Sequence, residues 1–287
     1  MEYTTTASSV APRDLAPAIR HDADALTERS LRIWGAGDYD RIAAGFRHEA
    51  DAFVARRSLR TGDVVLDAAC GSGNLTIPAA RTGATVTGLD LVPALLADAA
   101  RWARGERLTI ALDQGNAEAL PYADGRFDVV MSMFGVMFAA RPERVAAELA
   151  RVTRRGGRLA LANWTRTGFT GRMLAMHAAV VPPPAGVPSP LLWGDETHVR
   201  ALLGEDQWEI ATTLRTLTFR FPHVPAETAA LFGATYGPTV RTLEALEPAR
   251  RAPFMADLTA HWSQHQRATG ATTEVDAEYL EVVAVRR

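Results

Sequence analysis

The sequence predicts an α/β protein built on a doubly wound, mostly parallel sheet. Two observations carry that expectation. Short apolar strands alternate with amphipathic helices between Val64 and Asn163, and a glycine-rich turn, Gly71-Ser72-Gly73, joins the first strand to the helix that follows it. Strands separated by whole helices cannot pair as hairpins, so they lie parallel with helices on both faces.

The elements follow in order. Residues 1–14 are polar, with Thr4, Thr5, Thr6, Ser8 and Ser9, and read as a flexible tail. From residue 15 to 60 the pattern is helical, with Ala43, Phe46, Ala50, Phe53 and Val54 at three- and four-residue spacing. Gly35, Gly37 and Asp38 divide that N-terminal cap into two helices. The core, 61–165, offers strands at 64–67, 85–89, 108–112, 127–132 and 158–163. Its helices fall at 74–81, 94–104 and 143–152, with Pro78 tolerable because it lies near a first turn.

After Trp164 the rhythm changes. A helix over 171–180 ends at Pro182-Pro183-Pro184, and a loop covers 186–190. Two further strands, 208–221 and 278–285, enclose a helical stretch punctuated by Gly237-Pro238, Pro248 and Pro253. Residues 166–287 therefore complete the sheet, and an insert over about 222–273 is expected to fold across one end of it as a lid.

Composition excludes several classes. Of 287 residues, 47% are hydrophobic and 22% charged, as in an ordinary globular chain. The net charge of −2 gives no basic surplus of the kind that nucleic-acid binding needs. Cys70 is the only cysteine, so no internal disulfide can form, which fits a reducing compartment. No apolar run reaches the roughly twenty residues of a membrane span, and no signal-peptide pattern opens the chain. The expectation is a cytoplasmic protein without a membrane partner.

The segment Asp67-Ala68-Ala69-Cys70-Gly71-Ser72-Gly73 sits between an apolar strand and a helix. Gly71 and Gly73 let the backbone approach a ligand, and the helix behind them presents free N–H groups. Thr76 stands where a dinucleotide turn wants a third small residue, and the chain has no lysine for a phosphate loop. What remains suits a ligand without phosphates, with a carboxylate for the helix terminus and an ammonium near Asp67. Asp90 closes the second strand, where a carboxylate can accept from both hydroxyls of a ribose.

On these residues the chain resembles the class I S-adenosylmethionine-dependent methyltransferases, and among them a group of small-molecule enzymes common in actinobacteria. Val86 to Asp90, Gly115 to Leu120 and Phe127 to Phe138 extend the resemblance, as do Ala162-Asn163-Trp164-Thr165 and the 188–194 segment. It implies a Rossmann-like sheet with an antiparallel last strand and S-adenosylmethionine as cofactor. Gly71 and Gly73 would line the methionine end and Asp67 would orient its amino group, with Ala69 replacing the first glycine of the pattern. Asp90 would bind the ribose and Leu91 would pack on the adenine. Asn116, where the family usually has aspartate, would accept from the adenine amino group, and Ala117 would offer its N–H. Ser132, Met133 and Phe134 would flank the sulfonium.

The acceptor is less legible, because an activated methyl group needs alignment more than acid–base help. Ser132-Met133-Phe134-Gly135 replaces the Asn-Pro-Pro-Tyr that would hold a planar amide or exocyclic amine, which argues against nucleobase modification. His177 is the candidate general base; a packed histidine is the alternative. Tyr39 is the candidate to orient the acceptor or cap the sulfonium, again with plain packing as the alternative. His261 and His265, one helical turn apart, lack further ligands for a metal and read as a solvated helix face, so no metal is expected. Aromatic residues such as Trp164, Trp193, Phe232 and Tyr236 suggest a small apolar or aromatic acceptor. The alternative is a protein of the same fold that binds S-adenosylmethionine as a cyclase or structural partner without transferring methyl.

Overall fold

A computed structural model of the chain describes residues 17–287, with side chains from Ala25 onward. The expected tail over 1–14 lies outside the described residues. Helix α1, Pro17–Trp34, ends at the Gly35–Asp38 turn; α2, Tyr39–Ala43, passes through one tight turn into α3, Arg47–Ala55. The alternating core follows as β1 Val64–Ala68, α4 Thr76–Arg81, β2 Thr85–Asp90, α5 Pro93–Gly105 and β3 Ala111–Gln114. It continues with β4 Phe127–Met133, α6 Pro142–Val152, β5 Thr153–Trp164, α7 Phe169–Val180 and α8 Glu196–Leu203. The chain closes with β6 Trp208–Phe221, α9 Pro225–Thr235, α10 Gly237–Ala245, α11 Pro248–His265 and β7 Thr273–Arg286.

The seven strands form one sheet in the order β3-β2-β1-β4-β5-β7-β6. β1 to β5 are parallel, and β7 runs antiparallel to both β5 and β6. The fold is thus the Rossmann-like arrangement with an antiparallel last strand. Covered on both faces, the central strands carry apolar side chains on both, and Val65, Leu66, Val130 and Leu161 are wholly buried. The chain leaves β1 toward β2 and β3, then returns to place β4 on β1's other side. Strand direction reverses its winding there, and the carboxyl ends of β1 and β4 splay their loops apart to leave a crevice.

Several boundaries differ from the sequence reading for physical reasons. The third strand begins at Ala111 rather than Leu108. Arg107 adopts a left-handed φ of 57° and the Leu108 N–H returns to the Ala103 carbonyl, so Leu108 closes α5 instead of entering the sheet. Asn74 and Leu75 belong to the glycine turn, and α4 starts at Thr76, which leaves Pro78 in its first turn where no N–H is owed. The last strand starts at Thr273 because it pairs with β6 along its whole length, from Trp208↔Arg286 to Phe221↔Thr273. Pro253, expected to interrupt the lid, lies inside α11.

The lid expectation corresponds to α9, α10 and α11. Trp262 of α11 is fully buried against Phe169, Phe221 and Phe232, and Gly37 hands its neighbour's N–H, that of Asp38, to the Thr235 carbonyl of α9. The turn after α1 therefore meets α9.

Candidate functional site

The turn after β1 is built from three left-handed residues, Ala69 (φ 57°), Gly71 (φ 55°) and Gly73 (φ 98°). The two glycines serve different ends. A Cβ on Gly71 would approach only the Tyr39 ring, at 4.0 Å, so this glycine faces open space. A Cβ on Gly73 would press on Ile77 and Ala99 at 3.2–3.3 Å, so that glycine seats the turn against α5. On the other side, Gly135 lets the turn after β4 approach, since a Cβ there would sit 2.5 Å from the Ala69 carbonyl.

Asp90 ties these pieces together. Its carboxylate accepts from the Gly71 N–H at 2.8 Å and from the Val92 N–H at 2.9 Å, which fixes the glycine turn to the end of β2. Burial pushes its carboxyl up against those backbone bonds, which favour the charged form. Each oxygen keeps a further lone pair. Asp67 lies deeper, 1% exposed, and accepts from the Thr76 hydroxyl at 2.6 Å. Burial pushes its carboxyl up to about 7 despite the Thr76 bond, with Asp90 adding to the effect.

Around this turn is a cavity of about 990 Å³ lined by Gly71, Asp90, Leu91, Asn116, Met133 and Phe134 among others. Ala69 and Ala117 also line it, while Tyr39, Trp34 and Leu26 close it from the N-terminal helices. The only charged side chains on its walls among the described residues are two carboxylates, Asp90 and Glu118, the second paired with Arg141. No guanidinium lines it among the described residues. Ser72 Oγ and Asn74 Oδ1 are buried at its glycine turn without partners among the described residues. Two orphaned polar atoms at the turn, a carboxylate at the end of β2 and apolar walls beyond fit an amino-acid end, a ribose and a base in that order.

Three expected contacts sit behind the wall rather than on it. Ser132, 1% exposed, donates to the Ala68 carbonyl and accepts from the Val136 N–H, so it braces the two loops instead of flanking the cavity. Asp67 and Gly73 are likewise beneath the surface. The Asn116 carbonyl already accepts from the Glu118 N–H, and its amide donates to Thr27 on α1. Tyr39 faces Gly71 across the cavity, and burial, with Asp90's charge, raises its hydroxyl far above the usual tyrosine value. It stays protonated at neutral pH.

His177 requires a correction. It lies outside this cavity but on the wall of a second, adjoining one, 5% exposed on α7. Its Nδ1–H donates to the Met173 carbonyl at 2.7 Å, which leaves Nε2 to accept from the Thr239 hydroxyl at 2.8 Å. Burial lowers its pKa to about 4, so it is a neutral, doubly bonded brace between α7 and α10 and not a poised base. His261 is corrected too. It is 9% exposed, stacked on Phe169 at 4.4 Å and bonded to the Phe169 carbonyl, not a solvated face. No cluster of three metal-ligating side chains occurs among the described residues.

A second cavity, about 1390 Å³, adjoins the first. Leu26, Ser30, Trp34, Phe138 and Ala139 line both. Its remaining walls come from Arg29 and Ile33 of α1, Met137 and Ala140 after β4, Arg166, α7, the 183–191 loop and α10. Sequence reasoning missed the α1 contribution, since nothing local marks Leu26, Thr27 or Ser30 as facing a loop nearly ninety residues away. Ser72 and Asn74 were within reach, being the polar residues of the glycine turn itself.

Comparison with known proteins agrees with this geometry. A family described as "Methyltransferase domain" matches residues 66–161. An uncharacterised protein of Mycobacterium tuberculosis is 40% identical over 232 residues, 80% of this chain and 84% of its own length. The ubiquinone/menaquinone biosynthesis C-methyltransferase UbiE of Bdellovibrio bacteriovorus is 35% identical over 131 residues, 43% of this chain and 56% of that one. The YcgJ protein of Bacillus subtilis shares the fold, with a TM-score of 0.58 at 15% identity over 84% of this chain and 98% of its own. The chain belongs to the class I S-adenosylmethionine-dependent methyltransferases, whose cofactor is S-adenosylmethionine. No helix among the described residues is long and apolar enough to cross a membrane.

Proposed function

We propose that this protein transfers a methyl group from S-adenosylmethionine to a small apolar or aromatic molecule, and that it works in the cytoplasm. The observation that carries the reading is the meeting of the two cavities at Trp34 and Phe138, whose rings pack 4.7 Å apart. The first cavity has the polar layout of the cofactor, and the second is walled by Leu174, Val181, Val187 and Leu191.

When bound, the cofactor supplies an already activated methyl group at its sulfonium. In this reading Gly71, Ser72 and Asn74 hold its amino-acid end, Asp90 its ribose, and Leu91 and Ala117 its base. Asp67 acts through Thr76 and the turn above it. Phe138 and Ala139 form the wall shared with the second cavity, while Met133 and Phe134 line the first, with Phe134 held flat by Trp164, stacked at 3.5 Å. Tyr39 and Trp34 enclose the junction and exclude water, so an acceptor is held in line by packing. Neither Tyr39 nor His177 is suited to take a proton near pH 7, which favours acceptors that are nucleophilic as they enter.

The test is incubation of the purified protein with S-adenosylmethionine and a panel of apolar and aromatic alcohols, acids and amines. Release of S-adenosylhomocysteine together with a methylated product supports the reading. Tight cofactor binding with no methylated product from any member, alongside rearrangement of one of them, would move the chain to the non-transferring alternative.

A further inference from the structure

The two adjoining cavities carry opposite charge. Asp90 and Glu118 are the charged side chains of the first, whereas no carboxylate lines the second among the described residues. There the charged residues are Arg29, Arg166 and Arg241. Arg241 is partly neutralised by Glu244 and donates to the Arg32 carbonyl. Arg29 donates only to the Pro182 carbonyl, at 3.3 Å, and Arg166 has neither a hydrogen bond nor an ion pair among the described residues. Neither of the two meets a carboxylate among the described residues, in contrast to Arg56 and Arg57 on Glu281.

We infer that the second cavity takes an amphipathic acid, with an apolar body against Leu174, Val181, Val187 and Leu191 and its carboxylate drawn to the arginine-bearing part of the wall, where Arg29 and Arg166 lie. Two arginines with no carboxylate partner among the described residues, on the wall of a cavity that no described carboxylate lines, attract an anion. A carboxylate that they bind gains charge-assisted hydrogen bonds that an alcohol cannot match. The arginines also exclude the wrong end of the reaction: a cationic amine would meet like charge at the rim. This inference rests on the reading of the second cavity as the acceptor site, and it names the acceptor's class.

The experiment is calorimetric titration of the full chain, saturated with S-adenosylhomocysteine, with three probes of equal chain length: decanoate, 1-decanol and decyltrimethylammonium. Decanoate is expected to bind at least tenfold more tightly than decanol, and decyltrimethylammonium more weakly than either. In the Arg29→Gln/Arg166→Gln protein, decanoate is expected to fall to the affinity of decanol, with S-adenosylhomocysteine binding unchanged. Ala178→Trp, at an exposed helix position on the cavity wall, is expected to weaken decanoate and decanol alike. Equal binding of decanoate and decanol, or full decanoate affinity in the double variant, overturns the inference. Because S-adenosylhomocysteine binding is read separately, its failure would count against the cofactor reading and not against the preference for an acid.

Discussion

Asp90 shows how one side chain serves structure and ligand together. Two backbone N–H groups hold its carboxylate at the mouth of the sheet, and its remaining lone pairs face the cavity. Asp90→Ala is therefore expected to weaken S-adenosylhomocysteine at least tenfold, and Asp90→Asn to weaken it less, both read by titration calorimetry. Asp67 makes a different prediction. Its carboxyl is raised to about 7 by burial, so the folded protein keeps a proton that the unfolded chain sheds near the usual value of about 4. That contribution to stability is complete below the lower value and is lost as pH climbs toward 7. His177, lowered to about 4, acts in the opposite direction, since its contribution is lost as pH falls through that range. The comparison with Asp67→Asn isolates the aspartate. Melting of the cofactor-free proteins should show the wild type losing ground to Asp67→Asn between pH 5 and 7, and parallel curves would refute the assignment. At this scale much of the site was legible. Glycines and acids at strand ends announce themselves by type and place, but whether a side chain faces the cavity, as Met133 does, or braces it from behind, as Ser132 does, depends on packing that no local pattern encodes.

Among elements, the pairing of α7 with α10 through His177 and Thr239 is the clearest case of a functional expectation resolved by its neighbours. Sequence placed His177 beside the site but could not reveal that a threonine 62 residues on would accept the role of partner. Thr239→Val keeps the shape and removes the hydrogen bond, leaving Nε2 buried without a donor. A loss of about 1–3 kcal/mol in unfolding free energy is expected by denaturant titration, with S-adenosylhomocysteine binding retained. The strands were legible because their apolar runs are short and bounded by turns. Their starts were less so: Leu108 looks like strand and is spent on closing α5, and β7 begins at Thr273 because β6 pairs with it along its whole length. The lid helices were legible as helices only. Their seating on Trp262 and the N-terminal cap is long-range packing.

For the molecule as a whole, the N-terminal helices must stay clamped to the sheet if Leu26, Trp34 and Tyr39 are to close the cavities. The clamp is Glu281 of β7, 3% exposed, which accepts from Arg56 at 2.7 Å and Arg57 at 3.0 Å, both just after α3. Burial alone would raise its carboxyl, but the arginines hold it below the usual value. Glu281→Ala would strand Arg57, itself 7% exposed, and is expected to cost about 3–5 kcal/mol in global unfolding. The charge contrast between the two cavities also belongs to this scale, since each is assembled from segments far apart in the chain. The measurement that tests the central claim most directly is titration of the purified chain with S-adenosylhomocysteine, with NAD as control. One site that binds S-adenosylhomocysteine, ignores NAD and is weakened at least tenfold by Asp90→Ala is the expected result. Binding of NAD alone, or S-adenosylhomocysteine binding indifferent to Asp90, would contradict the account.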